Sequence, residues 1–117
     1  MIEQEDAREA LKTAFPFTEV TTQYVACYRT KTGKEIVLER NREDAFYIWL
    51  QKYDTEIEGV VVRNQKFPNQ PYARKQPRNS NLNDKNSPKL KVGNKVWYVK
   101  VENLSSLNRL IDWYAGV

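Results

Sequence analysis

Apolar residues recur every three or four positions in three stretches of the sequence, which is the spacing of one face of an α-helix. The first stretch covers residues 5–15, with acidic residues at its start and a proline at its end. The second covers residues 41–53, with Asn41 as its N-cap, and the third covers residues 104–114. The pattern therefore predicts three amphipathic helices.

β-Branched and aromatic residues alternate with other residues between these helices, which is typical of β-strands. Five strands are predicted, at residues 19–29, 35–40, 60–62, 89–92 and 95–101. The first two form one hairpin, and the last two form another around Gly93. Hairpins between helices indicate an α+β fold with about five mainly antiparallel short strands, three packed helices and one long basic loop.

That loop, residues 64–88, follows neither the helical nor the strand period. Pro68, Pro71 and Pro77 interrupt it, and six asparagines supply turn and hydrogen-bonding groups. It is longer than an ordinary connection within a domain. Because it is also basic and carries Phe67 and Tyr72, we expect a binding loop that becomes ordered on its partner.

Composition limits the class of protein and the chemistry available to it. With 117 residues, 40% of them hydrophobic, residues 1–117 are predicted to form one α+β domain, alone or as a module of a larger protein. There is no His, and Cys27 is the single cysteine, so we expect no disulfide, metal or cofactor. The absence of a signal peptide and of an apolar run of about 20 residues predicts a soluble cytoplasmic protein without membrane contact.

Charge is distributed unevenly along the chain. Residues 61–100 contain ten Lys and Arg but one acid, Asp84, which gives this region a formal charge of +9. The remaining residues include nine Lys and Arg and fourteen Asp and Glu, so the two parts of the sequence have formal charges of opposite sign although the total is +4. A concentrated positive field attracts polyanions. The sequence therefore predicts a nucleic-acid-binding module, with DNA favoured over RNA.

The predicted contact residues combine cations, amides and aromatic rings. Arg and Lys suit phosphates and the guanine edge, Asn can pair with adenine, and aromatic rings stack on exposed or modified bases. The set comprises Arg63, Lys66, Tyr72, Arg74, Lys75, Arg78, Asn79, Lys85, Lys89, Lys91, Lys95 and Trp97. Strand alternation leaves open whether Trp97 faces the basic surface with Lys95 or packs in the core.

Three other interpretations compete with nucleic-acid binding. The basic loop could be solvated and have no ligand. It could instead dock on an acidic partner protein, as in an inhibitor or interaction domain. A metal-dependent nuclease would need spaced carboxylates and a lysine, and Glu56 and Glu58 fit this poorly because no Glu-x-Lys follows in their strand. The sequence thus predicts a binding module rather than an enzyme, with no catalytic residues.

Overall fold

The computed structural model describes residues 3–17 and 19–117, which form six strands and two helices. In chain order these are α1 Gln4–Ala14, β1 Glu19–Thr21, β2 Val25–Arg29, β3 Glu35–Glu39, β4 Phe46–Leu50, β5 Val60–Arg63, β6 Trp97–Val101 and α2 Leu104–Ala115. The strands make one sheet in the order β1-β2-β3-β4-β6-β5, and every neighbouring pair is antiparallel. The predicted α+β class with antiparallel strands is confirmed.

The two terminal helices were predicted correctly, and they pack together on one face of the sheet. Both are amphipathic, and their apolar stripes bury Leu11 of α1 and Leu110 of α2 against alternate residues of β2, β3, β4 and β6. Asn103 caps α2, because its side-chain oxygen accepts the backbone N–H of Ser106 at 2.8 Å. This helix-side core fixes one face of the sheet.

The helix predicted over residues 41–53 is wrong, because this part of the chain contains strand β4. All five residues of β4 are buried, since the strand lies between β3 and β6 and both of its faces are covered. Phe46 and Ile48 enter the helix-side core, whereas Tyr47 and Trp49 enter a cluster on the opposite face. A strand buried on both faces is a continuous apolar run, which also matches helical spacing.

The number of strands also differs from the prediction. Residues 19–29 form two strands, because the Thr22 hydroxyl accepts the backbone N–H groups of Tyr24 and Val25 and reverses the chain there. The structure thus has six strands where five were expected, and two helices where three were expected, within the residues it describes.

Residues 64–96, called segment 64–96 below, cover the face of the sheet that the helices leave open. The segment buries four apolar side chains against Val37, Trp49 and their neighbours on the sheet. These four are Tyr72, Leu82, Leu90 and Val96. The long loop is therefore a packed layer of the fold.

The predicted strand over residues 89–92 is wrong, and β6 pairs with β4 and β5 instead of with that stretch. The backbone there forms turns, in which Leu90 N–H donates to Ser87 at 3.0 Å. The carbonyls of Leu90 and Lys91, which a strand ladder would use, accept hydrogen bonds from Arg78. Val96 belongs to a stretch that was expected to pair with residues 89–92, but it forms an isolated antiparallel bridge with Tyr72 instead.

Candidate nucleic-acid interface

The guanidinium of Arg78 is bound to backbone carbonyls instead of being free for a phosphate. Its Nη1 donates to the carbonyls of Leu90 at 3.1 Å and Asn94 at 2.7 Å. Its Nη2 donates to those of Ala73 and Arg74 at 2.8 and 3.2 Å. Burial lowers the pKa of this guanidinium from its ordinary value, in keeping with its withdrawal from solvent. Arg78 therefore joins the turns of segment 64–96.

Glu39 lies at the centre of a hydrogen-bond network between the sheet and segment 64–96. Its Oε1 accepts the hydroxyl of Tyr98 at 2.6 Å and the Nε of Arg42 at 3.2 Å. Its Oε2 accepts the Nε1 of Trp49 and the Nδ2 of Asn79, each at 3.0 Å. Burial and the adjacent carboxylate raise the pKa of the Tyr98 hydroxyl, which therefore stays protonated and donates. These five residues are called the Glu39 network.

Aromatic rings pack around the Glu39 network. Trp49 stacks on Tyr98 with ring centroids 4.1 Å apart, and Tyr72 meets Trp49 edge-on at 4.9 Å. The rings and Glu39 line a cavity of about 320 Å³. The Glu39 carboxylate and the Asn79 amide already have partners, so the cavity has few free groups for an incoming base. Tyr72 and Asn79, two predicted contact residues, hold the segment on the sheet.

Trp97 lies on the face opposite the Glu39 network. Alternation along β6 directs Tyr98 toward segment 64–96 and Trp97 toward the helices. The half-buried Trp97 ring meets the Tyr53 ring edge-on, with centroids 6.3 Å apart. Of the two positions left open by the sequence, Trp97 takes the one against the helix-side core.

Several lysines of the positive region already have hydrogen-bond or ion-pair partners. Lys89 donates from its Nζ to the carbonyl of Gly33 at 2.8 Å, and Lys91 pairs with Asp84. Lys100, which belongs to the same basic region, lies 3.6 Å from the Asp44 carboxylate. The carboxylates partly compensate the charges of Lys91 and Lys100, whereas Lys89 keeps its charge but has one donor already in use.

Six other predicted contact residues are exposed and have no acidic partner in the described part of the chain. They are Arg63, Lys66, Arg74, Lys75, Lys85 and Lys95. Two of them, Arg74 and Lys95, line one cleft of about 480 Å³ together with Phe67, Gln70, Pro71 and Ala73. We call this the Phe67 cleft.

The backbone of segment 64–96 builds the Phe67 cleft. Tyr72 and Val96 exchange hydrogen bonds of 2.7 and 3.3 Å, and the carbonyl of Arg74 accepts the N–H of Gly93 at 2.7 Å. These bonds fix the two stretches that carry Arg74 and Lys95 side by side. The two cations thus reach one cleft although they are far apart in sequence.

Buried Asn64 fixes the position of Phe67. Its Oδ1 accepts the backbone N–H groups of Lys66 and Phe67 at 3.1 and 3.2 Å, and its Nδ2 donates to the carbonyl of Pro71 at 3.1 Å. The ring of Phe67 nevertheless remains 53% exposed. An aromatic ring is thus held at the surface by a fixed backbone.

Sequence reasoning used Phe67 to predict a binding loop but placed neither Phe67 nor Gln70 among the predicted contact residues, and it missed the structural roles of Glu39 and Arg42. The signal for Phe67 was present, since a large apolar residue follows Lys66 in a polar loop. Glu39 gave no such signal, because an acid at the end of a strand is most often a solvated edge residue. Its four partners come together only in the folded chain.

Comparison with known proteins does not assign a function. No family model matches this sequence, and no curated protein or solved structure is significantly similar to it. Within residues 3–17 and 19–117, no helix is long and apolar enough to span a bilayer, and no three acidic or Cys side chains converge as metal ligands. The Phe67 cleft is therefore the feature from which a function is proposed.

Proposed function

We propose that this protein binds nucleic acid at the Phe67 cleft, with an unpaired base stacked on Phe67 and the adjoining phosphates on Arg74 and Lys95. The observation that carries the proposal is an exposed aromatic ring beside two cations that have no acidic partner in the described residues. Aromatic stacking combined with a positive groove is the usual way of binding single strands without sequence readout.

An unpaired base fits this cleft better than a duplex does. The faces of a base within a duplex are already covered by its neighbours, whereas a base in a single strand or a flipped base offers a free face. The cleft presents one ring, two cations and the amide of Gln70. DNA is the first ligand proposed, and RNA, which offers similar phosphates and bases, is the second.

Two further cations extend the positive surface on either side of the cleft. Lys66 precedes Phe67 in the chain and Lys75 follows Arg74, and both are exposed. If all four cations contact phosphates of a single strand, the logarithm of affinity falls with the logarithm of salt concentration at a slope of about −3. This slope is measured by fluorescence anisotropy of labelled oligothymidylate and oligouridylate at several salt concentrations.

Substitutions at the cleft separate stacking from charge. Phe67→Ala is expected to weaken binding about tenfold at every salt concentration, because it removes a stacking contact. Arg74→Gln and Lys95→Gln are each expected to reduce the salt slope by about 0.7, because each removes one phosphate contact.

Matched controls come from outside the segment. Phe17 is 57% exposed, and Lys12 on α1 is an exposed cation with no acidic partner among the described residues. Phe17→Ala and Lys12→Gln are expected to leave binding unchanged. If the controls lose as much affinity as the cleft variants, or if neither oligonucleotide binds, the proposal is wrong. An acidic protein partner for the same cations, or a solvated basic surface without a ligand, would then be the remaining interpretations.

A further inference from the structure

Strand β5 lies at one edge of the sheet, and its outer side has no neighbouring strand among the described residues. The carbonyl of Gly59 accepts the N–H of Glu102, so residues 59, 61 and 63 direct their backbone groups toward β6. The backbone groups of Val60 and Val62 consequently point outward. Val60 N–H is taken by the carbonyl of Ile57 at 3.0 Å, whereas Val62 can both donate and accept at the open edge.

A groove of about 880 Å³ runs along this edge. It is lined by the acidic stretch that precedes β5, by Val60, Val61 and Val62, and by Trp97. Val61 is 42% exposed, which is high for an apolar strand residue. Open edges of this kind pair readily with another strand unless they are covered or charged.

Charge along the edge is ordered in one direction. Exposed Glu56 and Glu58 precede β5, and exposed Arg63 and Lys66 end or follow it. None of these four has a partner of opposite charge in the part of the chain that the structure describes. The side chains along the edge are therefore acidic at its N-terminal end, apolar in the middle and basic at its C-terminal end.

We propose that two copies of this chain associate by antiparallel pairing of their β5 edges. A two-fold axis through Val62 lets the two Val62 residues exchange both hydrogen bonds. The same symmetry places the acidic end of each edge beside the basic end of the other, whereas parallel pairing would bring like charges together. A second copy thus matches this edge in backbone, apolar centre and charge.

The dimer is weak and sensitive to salt. A strand of four residues buries less area than a typical stable interface, so we expect a dissociation constant of about 100 μM. The exposed ion pairs between the copies are screened at high ionic strength. The proposal does not depend on nucleic-acid binding, since it is tested on the protein alone and Glu58, Val62 and Lys66 do not line the Phe67 cleft.

Sedimentation velocity over a range of protein concentrations tests the proposal. At low salt the mass is expected to rise from 13.8 kDa toward twice that value as the concentration approaches about 1 mM. Val62→Pro removes the outward N–H without removing a bond to β6, and it is expected to abolish the dimer. A protein that stays monomeric at every concentration would overturn the proposal.

Charge exchange identifies the surface. Glu58→Lys alone sets like charges against Lys66 of the other copy, which this register places opposite Glu58, and is expected to weaken association about tenfold, whereas Glu58→Lys combined with Lys66→Glu restores it. Circular dichroism checks that each variant folds. A dimer that is indifferent to Val62→Pro and to both charge variants uses another surface, and this would also overturn the proposal.

Discussion

Glu39 is a carboxylate whose two oxygens are both fully used in the fold. Glu39→Gln replaces one acceptor oxygen with an N–H₂ group that faces existing donors, and it removes the charge that strengthens the other bonds. We expect the free energy of unfolding to fall by about 2 kcal/mol, as measured by urea denaturation.

Glu43 provides the matched control for this prediction. It lies on the connection between β3 and β4, four residues after Glu39, but it is exposed and has no ion pair among the described residues. Glu43→Gln is expected to change the free energy of unfolding by less than about 0.5 kcal/mol. Equal urea midpoints for the two variants would mean that the Glu39 network contributes no stability.

Glu35 is a second buried carboxylate, and it makes stability depend on pH. It accepts the backbone N–H of Lys89 at 2.9 Å and lies 3.4 Å from the guanidinium of Arg29. Burial outweighs these two contacts and raises the pKa of Glu35 above its ordinary value of 4.5. The fold thus favours the protonated acid, so the stability contributed by this group is full below the ordinary pKa and is lost as pH rises through the raised pKa.

Glu35→Gln removes this titration, and the variant should therefore gain stability relative to the wild type as pH rises. We expect the difference between the two free energies of unfolding to shift in favour of the variant between about pH 4 and about pH 8. Urea denaturation at several pH values measures it. A difference that is constant with pH, or that shifts in favour of the wild type, would contradict the raised pKa.

The sequence could predict which residues carry charge, but not which of them remain free. Arg78 lies four residues after Arg74 in the same polar stretch, yet six carbonyl contacts occupy its guanidinium while Arg74 stays exposed. The difference arises because residues 90–94 fold back onto Arg78, a contact between distant parts of the chain. The sequence therefore shows where basic residues are concentrated along the chain, but not which of them are exposed without a partner in the described part of the structure.

Two glycines with positive φ lie beside elements of the fold, and alanine substitutions at them would have different costs. At one position a Cβ would add both backbone strain and a steric clash, whereas at the other it would add backbone strain alone. Gly59 precedes β5 at φ +85°, and a Cβ there would lie 2.1 Å from the Oγ of Ser106 on α2. Gly93 has φ +112°, but a Cβ there would meet no atom within 4 Å. Alanine is strained at both positions, and only at Gly59 does it also force α2 away from β5.

We therefore expect Gly59→Ala to lower the melting temperature by about 15 °C and Gly93→Ala to lower it by about 5 °C. Differential scanning calorimetry compares the two. Adding Ser106→Gly to Gly59→Ala is expected to recover part of the loss, since it removes the atoms that the new Cβ would meet. A loss from Gly93→Ala as large as that from Gly59→Ala would contradict this account.

Elements at the two ends of the chain were predictable, whereas those in its middle were predicted only in part. Each terminal helix has one face in the core and one in solvent, so its sequence keeps a clear period. Strand β4 has both faces buried, so its sequence has no polar side from which a strand period could be read. The turns of segment 64–96 depend on Asn64, Glu39 and Arg78, each of which makes at least one hydrogen bond to a residue twelve or more positions away in the sequence.

At the scale of the whole molecule, one sheet supports two cores. The helices cover one face and segment 64–96 covers the other, and β2, β3, β4 and β6 supply alternate residues to both clusters. A segment that looks like a long loop therefore contributes to the stability of the entire sheet. The surface proposed to bind nucleic acid is accordingly part of a packed layer, which presents Phe67 and its cations without a large ordering cost.

Because the two cores share their strands, we expect them to unfold together. The variant Trp97→Phe/Trp113→Phe leaves Trp49, under segment 64–96, as the tryptophan that reports fluorescence, while far-UV circular dichroism reports the helices on the opposite face. In urea the two signals should change at the same midpoint. Fluorescence changing at lower urea would mean that the segment detaches first.

Leu90→Ala in this background tests the coupling directly. Leu90 is a fully buried residue of segment 64–96 that packs on the sheet, so its truncation should cost about 3 kcal/mol and move both midpoints together. Val92, two residues along and 49% exposed, is the control, and Val92→Ala should move neither midpoint appreciably. If Leu90→Ala shifts the fluorescence midpoint alone, the segment is a separate folding unit, and a binding surface on it could become ordered independently of the sheet.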